Sequence, residues 1–348
     1  MDSAGEVLVS AERNHALDLL KAVAIVGVVL WHAQPVTIVS SSSGIVATGL
    51  KILFYALGYH VALLAVPTFL AVSLYLFADR AALRGPSYLM ARLRRLTLVF
   101  GFWLAVQWLL HIVTERAVPP LTFTSIAQGG PPFLESGSVL YFLFVLIVLT
   151  AASFAFERLP AAAKYVVGGG IVLASFIYFE YMGVTGRTIP LQSLANFVVL
   201  IPLIAFVRDR TITPRLVLVI LTGGCAIMTL HDLVFRALNL RGLSPYHANN
   251  YGRVSVVLGA AALLAWALSA RVQSNRIVSV LSKYSLGIFA VHKNVLAALV
   301  VILPFTATIG LAGVQLDVFP LVRLPLAVMT TAFVVWAMDR CGLSFAVS

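Results

Sequence analysis

Ten apolar runs of roughly bilayer-spanning length follow one another along this 348-residue chain, and lipid is the solvent that suits such an order. They are Ala16–Ala33, Leu57–Ala78, Leu93–Val113, Val139–Phe156, Tyr165–Met182, Leu191–Val207, Leu216–His231, Val254–Ala270, Ser285–Leu303 and Leu321–Met338. The runs are continuous rather than alternating. In lipid each backbone polar group must be satisfied internally, so the runs predict helices and not a barrel. Composition agrees: 61% of residues are hydrophobic, 11% are charged, and the mean hydropathy is +0.99. The expected fold is all-α, a polytopic transmembrane bundle of about ten helices forming a single domain over residues 1–348. No internal repeat and no separate soluble domain is visible.

Connections are expected to be short except Gln34–Ala56, Thr114–Ser138 and Asp232–Arg253, which carry the turn-rich pieces SSSG, GGPPF and LSPYHANNYG. Basic residues gather between the runs. With the N-terminus inside, 15 Lys and Arg fall on cytosolic ends and seven outside, while Lys21 and Lys293 lie within spans. That bias places both termini in the cytosol and the three longer loops outside. The net charge of +11 is therefore read as orientation, with a share left for an anionic cytosolic ligand, and not as a nucleic-acid surface. The leading MDSAGEVLVSAERNH lacks the basic start of a signal peptide, so the first helix is expected to be uncleaved. Cys225 and Cys341 offer neither a disulfide pair nor metal-ligand spacing, and no metal is expected.

Several charges and imidazoles interrupt the apolar runs, where they are costly and should face protein or a watery cavity. The first run carries Asp18, Lys21 and His32. Lys21 and His32 are eleven positions apart, which on a helix puts them on one face, about 16 Å apart along the axis. Asp18 is within pairing distance of Lys21. His32 reads either as a general base for a hydroxyl or as a helix-end histidine satisfied by a carbonyl or water. Before the third run stand Arg80, Arg84, Arg92, Arg94 and Arg95. Arg92 and Arg95 share a helix face, and their planar forks suit phosphate; a positive-inside cap facing lipid head groups is the plainer alternative. In the ninth run, His292-Lys293-Asn294 is either a second catalytic or orienting group or a structural hydrogen-bond knot. His231-Asp232 makes a poor relay, since adjacent helical residues diverge. Tyr246, Tyr251 and Arg253 beyond it suit a sugar or polyol, though loop polarity accounts for most of that segment. His15, His60 and His111 have no evident partner.

GxSxG, HExxH, P-loop and strand-borne GxGxxG motifs are all absent, so serine hydrolase, zincin, ATPase and dinucleotide chemistries lack their parts. The order of the remaining motifs resembles the acyltransferase-3 family of integral membrane O-acyltransferases. Arg13…Leu17-Asp18-Leu19-Leu20-Lys21…His32 resembles its first helix, with Lys21 for the usual arginine and Ala22 for the usual glycine. Val66-Pro67-Thr68-Phe69 through Ser73 resembles its second, with Leu74 where glycine is expected. Arg92-Leu93-Arg94-Arg95 resembles its RxxR, Ser138 to Leu143 its fourth-helix entry, and Tyr284-Ser285 through His292 its late S-x-x-I-Y-x-x-H segment.

The resemblance implies a membrane enzyme that moves an acetyl or other acyl group from cytosolic acyl-CoA to a hydroxyl of an extracytoplasmic glycan or lipid-linked sugar. On that reading Arg92, Arg95 and Arg94 hold the phosphates of coenzyme A and Lys21 supports the donor. His32 deprotonates the acceptor or stabilises the transfer step, and His292, Tyr284 and Asp18 form a candidate second site. No permanently bound cofactor is expected, acetyl-CoA is the expected donor, and a bacterial inner membrane is the implied location, with envelope polysaccharide modification as the setting. Two other classes compete: a transporter or exporter of a polar or lipid-linked solute, with Lys21, His32, His292 and Lys293 as its path, and a non-catalytic assembly or sensing protein on the same scaffold.

Overall fold

A computed structural model of the chain describes residues 14–33, 49–50, 53, 57–119, 121–131, 139–209, 211–240, 242, 244–247, 249–273, 275–302, 308–311, 314–317 and 319–347. Arg13, most of the first long loop, and residues 132–138, including Ser138, lie outside these.

Helix α1 runs His15–His32, and Asn14 caps it by accepting the amides of Ala16 and Leu17 at 3.0 and 3.2 Å. A π turn, Leu57–Val61, and one 3-10 turn, Ala62–Leu64, lead into α2, Ala65–Glu115. Helix α2 breaks at Gly85 (φ 67°, ψ −154°), immediately before Pro86, so it is two arms. The short α3 is Phe123–Ala127, followed by α4 Tyr141–Glu157, α5 Ala161–Val184, α6 Leu200–Arg208 and α7 Pro214–Leu240. Then come α8 Val254–Ser269, α9 Arg276–Ile302, α10 Phe319–Arg340 and α11 Ser344–Val347.

The expected helical character holds: each predicted run falls largely on a helix, the second and third on the two arms of α2. Among the described residues six helical stretches are long and apolar enough to cross a membrane, Leu57–Glu115 counting as one. Tyr141–Glu157, Leu194–Arg208 and Val254–Ser269 are apolar but shorter. The connection before the last run is expected to be short. It instead holds an antiparallel ribbon, with β1 Thr308–Leu311 pairing with β2 Val314–Asp317 so that Thr308 faces Asp317. Strands this short carry too few residues for their alternation to register beside long apolar runs.

Helix α1 lies against α2, α8 and α9; α9 packs on α10, α7 on α8 and α2 on α4. Contacts between α1 and α9 advance in the same sense, Asp18 with Ser282 and His32 with His292, so these two helices run in one direction. Ala22 and Leu74, which replace expected glycines, are 3% and 0% exposed. Close approach of α1 to α2 falls at Gly27 instead, where an added Cβ would sit 3.1 Å from that of Ala65. The outer helices α5, α7 and α10 expose apolar side chains such as Leu173, Ile227 and Phe333, as a lipid-facing surface requires.

Candidate functional site

The basic residues of three helices converge at one end of the bundle. A cavity of about 770 Å³ there is lined by Asp18 and Lys21 of α1, Asp79 and Arg80 of α2, and Arg276 and Lys283 of α9. A second, of about 240 Å³, shares Lys21, Arg80 and Lys283 with it and adds Tyr88, Arg92 and Arg95 from the second arm of α2. The break at Gly85 makes this possible. It folds the second arm back so that Tyr88 stacks on Phe77 of the first, ring centroids 5.8 Å apart at 15°. Arg92, half-buried, and Arg95, exposed, are three residues apart and line this cavity together, whereas Arg94 lines neither cavity.

Asp18 is 6% exposed and sits between two donors. Ser282 of α9 donates to it at 2.6 Å, and the Lys21 ammonium is 3.2 Å away. The carboxylate therefore fixes α1 against α9 and aims Lys21 into both cavities. Tyr284, by contrast, lines neither: its hydroxyl donates to Asp339 at the end of α10, 2.7 Å away, and Lys283 bonds the same carboxylate at 2.8 Å. It braces α9 to α10 at the rim of the basic end.

At the opposite end of α1, His32 meets His292 of α9, ring centroids 5.1 Å apart. His292 is fully buried, and its Nδ1 lies 2.7 Å from the Phe289 carbonyl. A carbonyl only accepts, so Nδ1 carries the proton, and in the neutral ring Nε2 holds the bare lone pair. That Nε2 is buried and has no hydrogen-bond partner among the described residues.

Neither cavity is lined by His32 or His292. Between them lies a layer of three phenylalanines, one from each of three helices: Phe69 (5% exposed), Phe142 (0%) and Phe289 (1%). Phe142 and Phe289 have ring centroids 4.5 Å apart, Phe69 and Phe142 5.4 Å, and Phe289 stands 5.7 Å from His292. Sequence reading passed over this layer, because three phenylalanines in apolar runs carry no local signal until the helices are brought together.

A second polar cluster lies beyond the imidazoles. Asp232 of α7, 3% exposed, accepts from Tyr246 at 2.9 Å and from Ser255 of α8, with Arg253 at 3.9 Å. Arg253 donates to the carbonyl of Tyr59 at 2.6 Å, and the Tyr59 ring packs edge-on against Trp31, next to His32. Burial, with the Asp232 carboxylate beside it, raises the Tyr246 phenol far above its ordinary pKa, so it stays a donor. His60, partnerless in the sequence, lies within electrostatic reach of Arg253, Asp232 and Arg236. His231 stands 3.7 Å from Glu180 of α5 and 3.8 Å from Asp232, so its closer carboxylate comes from another helix rather than from its neighbour.

Among known proteins, the family model described as an acyltransferase domain, of the acyltransferase-3 type, matches residues 14–340. No curated protein and no solved structure matches the chain significantly.

Proposed function

The chain belongs to the acyltransferase-3 family, and from that premise we propose that it transfers an acyl group from cytosolic acyl-CoA to a hydroxyl of an extracytoplasmic glycan or lipid-linked sugar. Membership and the apolar helices support an acyltransferase set in a membrane. The observation that carries the donor assignment is the meeting of Lys21, Arg80, Arg92 and Arg95 on adjoining cavities. Guanidinium forks suit phosphate, and the larger cavity is within the range that encloses a cofactor-sized molecule. Coenzyme A carries its phosphates at one end and its thioester at the other. Seated with its phosphates on the arginines, it directs the thioester along the smaller cavity towards Phe69.

In the transfer itself the acceptor oxygen attacks the thioester carbonyl while His32 takes the hydroxyl proton. The C–S bond breaks as the C–O ester bond forms, and the proton passes from the imidazolium to the departing thiolate. His292 supports this chemistry by holding its ring 5.1 Å from that of His32, centroid to centroid, with its Nδ1 tied to the Phe289 carbonyl. The arginine-lined end faces the cytosol by the positive-inside bias. Both arms of α2 and the shorter α4, α6 and α8 cross with the longer helices, which returns both termini to the cytosol of a bacterial inner membrane.

The test is His32→Ala in proteoliposomes supplied with acetyl-CoA and a bacterial envelope glycan extract as acceptor, reading coenzyme A release. A loss of about 10²- to 10⁴-fold is expected for removal of a general base. Turnover near the parent value would defeat the assignment, and solute flux without acetyl-CoA consumption would decide for a transporter.

A further inference from the structure

The three phenylalanines occupy equivalent levels on their helices. Ser73 of α2, Leu146 of α4 and Ser285 and Leu286 of α9 line the smaller cavity. Phe69 and Phe142 stand four residues before Ser73 and Leu146, and Phe289 stands three after Leu286. Phe69 is the last lining residue of its helix, and Phe142 and Phe289 each lie one helical turn past the lining, about 5 Å further along. One turn beyond Phe289 comes His292. The step from cavity to phenyl layer is thus written on three helices, and α9 continues it to an imidazole. The rings touch one another in tilted and edge-on arrangements and are nearly devoid of solvent exposure, so the layer is closed.

We propose that Phe69, Phe142 and Phe289 form a barrier that separates the donor cavity from the imidazole pair and limits the transferred group to a short acyl chain. Only Phe69 borders the cavity directly. Rotation of its ring admits a narrow thioester end bearing two or three carbons, whereas a longer chain must displace Phe142 and Phe289, which are packed on all sides. An intact barrier also keeps water on the far side from reaching the thioester before an acceptor arrives. The chain-length half of this proposal rests on the acyl-transfer reading; the barrier half does not.

Two measurements separate them. The first compares acetyl-, butanoyl- and hexanoyl-CoA as donors for the full-length protein in proteoliposomes, with a bacterial envelope glycan extract as acceptor, reading coenzyme A release. The parent should favour acetyl. Phe69→Ala should raise the hexanoyl-to-acetyl ratio of kcat/KM by about tenfold or more, the scale on which pocket size discriminates chain length. Phe69→Leu, which keeps most of the packing volume, serves if the alanine variant does not fold. An unchanged ratio in a folded variant overturns the length limit.

The second uses a charged methanethiosulfonate reagent on a background carrying Cys225→Ala and Cys341→Ala. Ser73→Cys identifies the side from which the cavity is reached, and His32→Cys is then challenged from that side. Protection with the three phenylalanines in place, and labelling once Phe69→Ala is added, is the expected result. Labelling of His32→Cys from the cavity side with the layer intact overturns the barrier, whether or not the protein consumes acyl-CoA. Failure of the parent to release coenzyme A from any donor, with the labelling pattern as expected, instead overturns the acyl-transfer reading and the length limit with it.

Discussion

Arg92, Arg94 and Arg95 are chemically the same and almost adjacent, yet helix geometry separates their roles. Arg92 and Arg95 line the smaller cavity, and Arg94 does not. Replacing either cavity arginine with alanine should weaken coenzyme A binding by about tenfold, the loss of one charge-assisted phosphate contact. Arg94→Ala should leave the affinity within about twofold, since Arg94 borders neither cavity and its charge acts only through solvent and salt. Calorimetric titration of the three purified variants with coenzyme A checks this; an Arg94 effect equal to the others would show that the phosphates bind outside the cavity. The pairing of Arg92 with Arg95 was legible from their spacing alone, as was the Asp18–Lys21 contact. Other relations were not. Ser282 bonds Asp18 across 264 positions, and Asp232 meets Ser255 across 23. Such partners are chosen by which helices pack together, and no local pattern states that.

At the scale of the element, the break in α2 decides whether the site exists. Its two arms supply the basic residues on either side of Gly85, Arg80 from one and Arg92 with Arg95 from the other. The backbone at Gly85 (φ 67°, ψ −154°) lies in a region closed to residues with a Cβ, although no neighbouring atom would obstruct one. Gly85→Ala should therefore cost about 1–3 kcal/mol through the backbone alone. It should also pull Tyr88 from Phe77 and lower donor affinity at the same time. Gly101→Ala on the same helix is the matched control, because Gly101 is exposed, helical and equally unobstructed. It should preserve binding and hold or raise the melting temperature. Melting curves and coenzyme A titrations on both variants give the comparison. Equal behaviour of the two would mean that the break is incidental to the site. The apolar runs had already located both arms as separate spans. How sharply the chain turns between them was hidden, because Arg84-Gly85-Pro86 fits a surface loop as well as a fold-back.

At the scale of the whole molecule, the bundle is polarised. The basic cavities occupy one end, and the Asp232–Arg253–Tyr246 cluster occupies the other, past the imidazoles. The route of α5 fixes the relation of the two ends. Phe154, near the close of α4, lies 6.4 Å from Phe77, which lines the smaller cavity. Glu157 just beyond it pairs with Lys164 at 3.0 Å and with Arg208, so the turn between α4 and α5 belongs to the basic end. Helix α5 then runs 24 residues, about 36 Å, which exceeds the hydrocarbon core of a bilayer. Its far end packs Gly183 against Tyr246 of the second cluster. A cysteine at Arg94 and one at Arg187, in the turn after α5, should consequently label from opposite faces of the membrane. Both positions are exposed. With Cys225 and Cys341 removed, an impermeant maleimide applied to intact cells should reach Arg187→Cys and spare Arg94→Cys, and inverted vesicles should reverse the pattern. Labelling of both from one face would place the basic cavities and the distal cluster on the same side, leaving α5 no bilayer to cross and the proposed transfer no membrane to span.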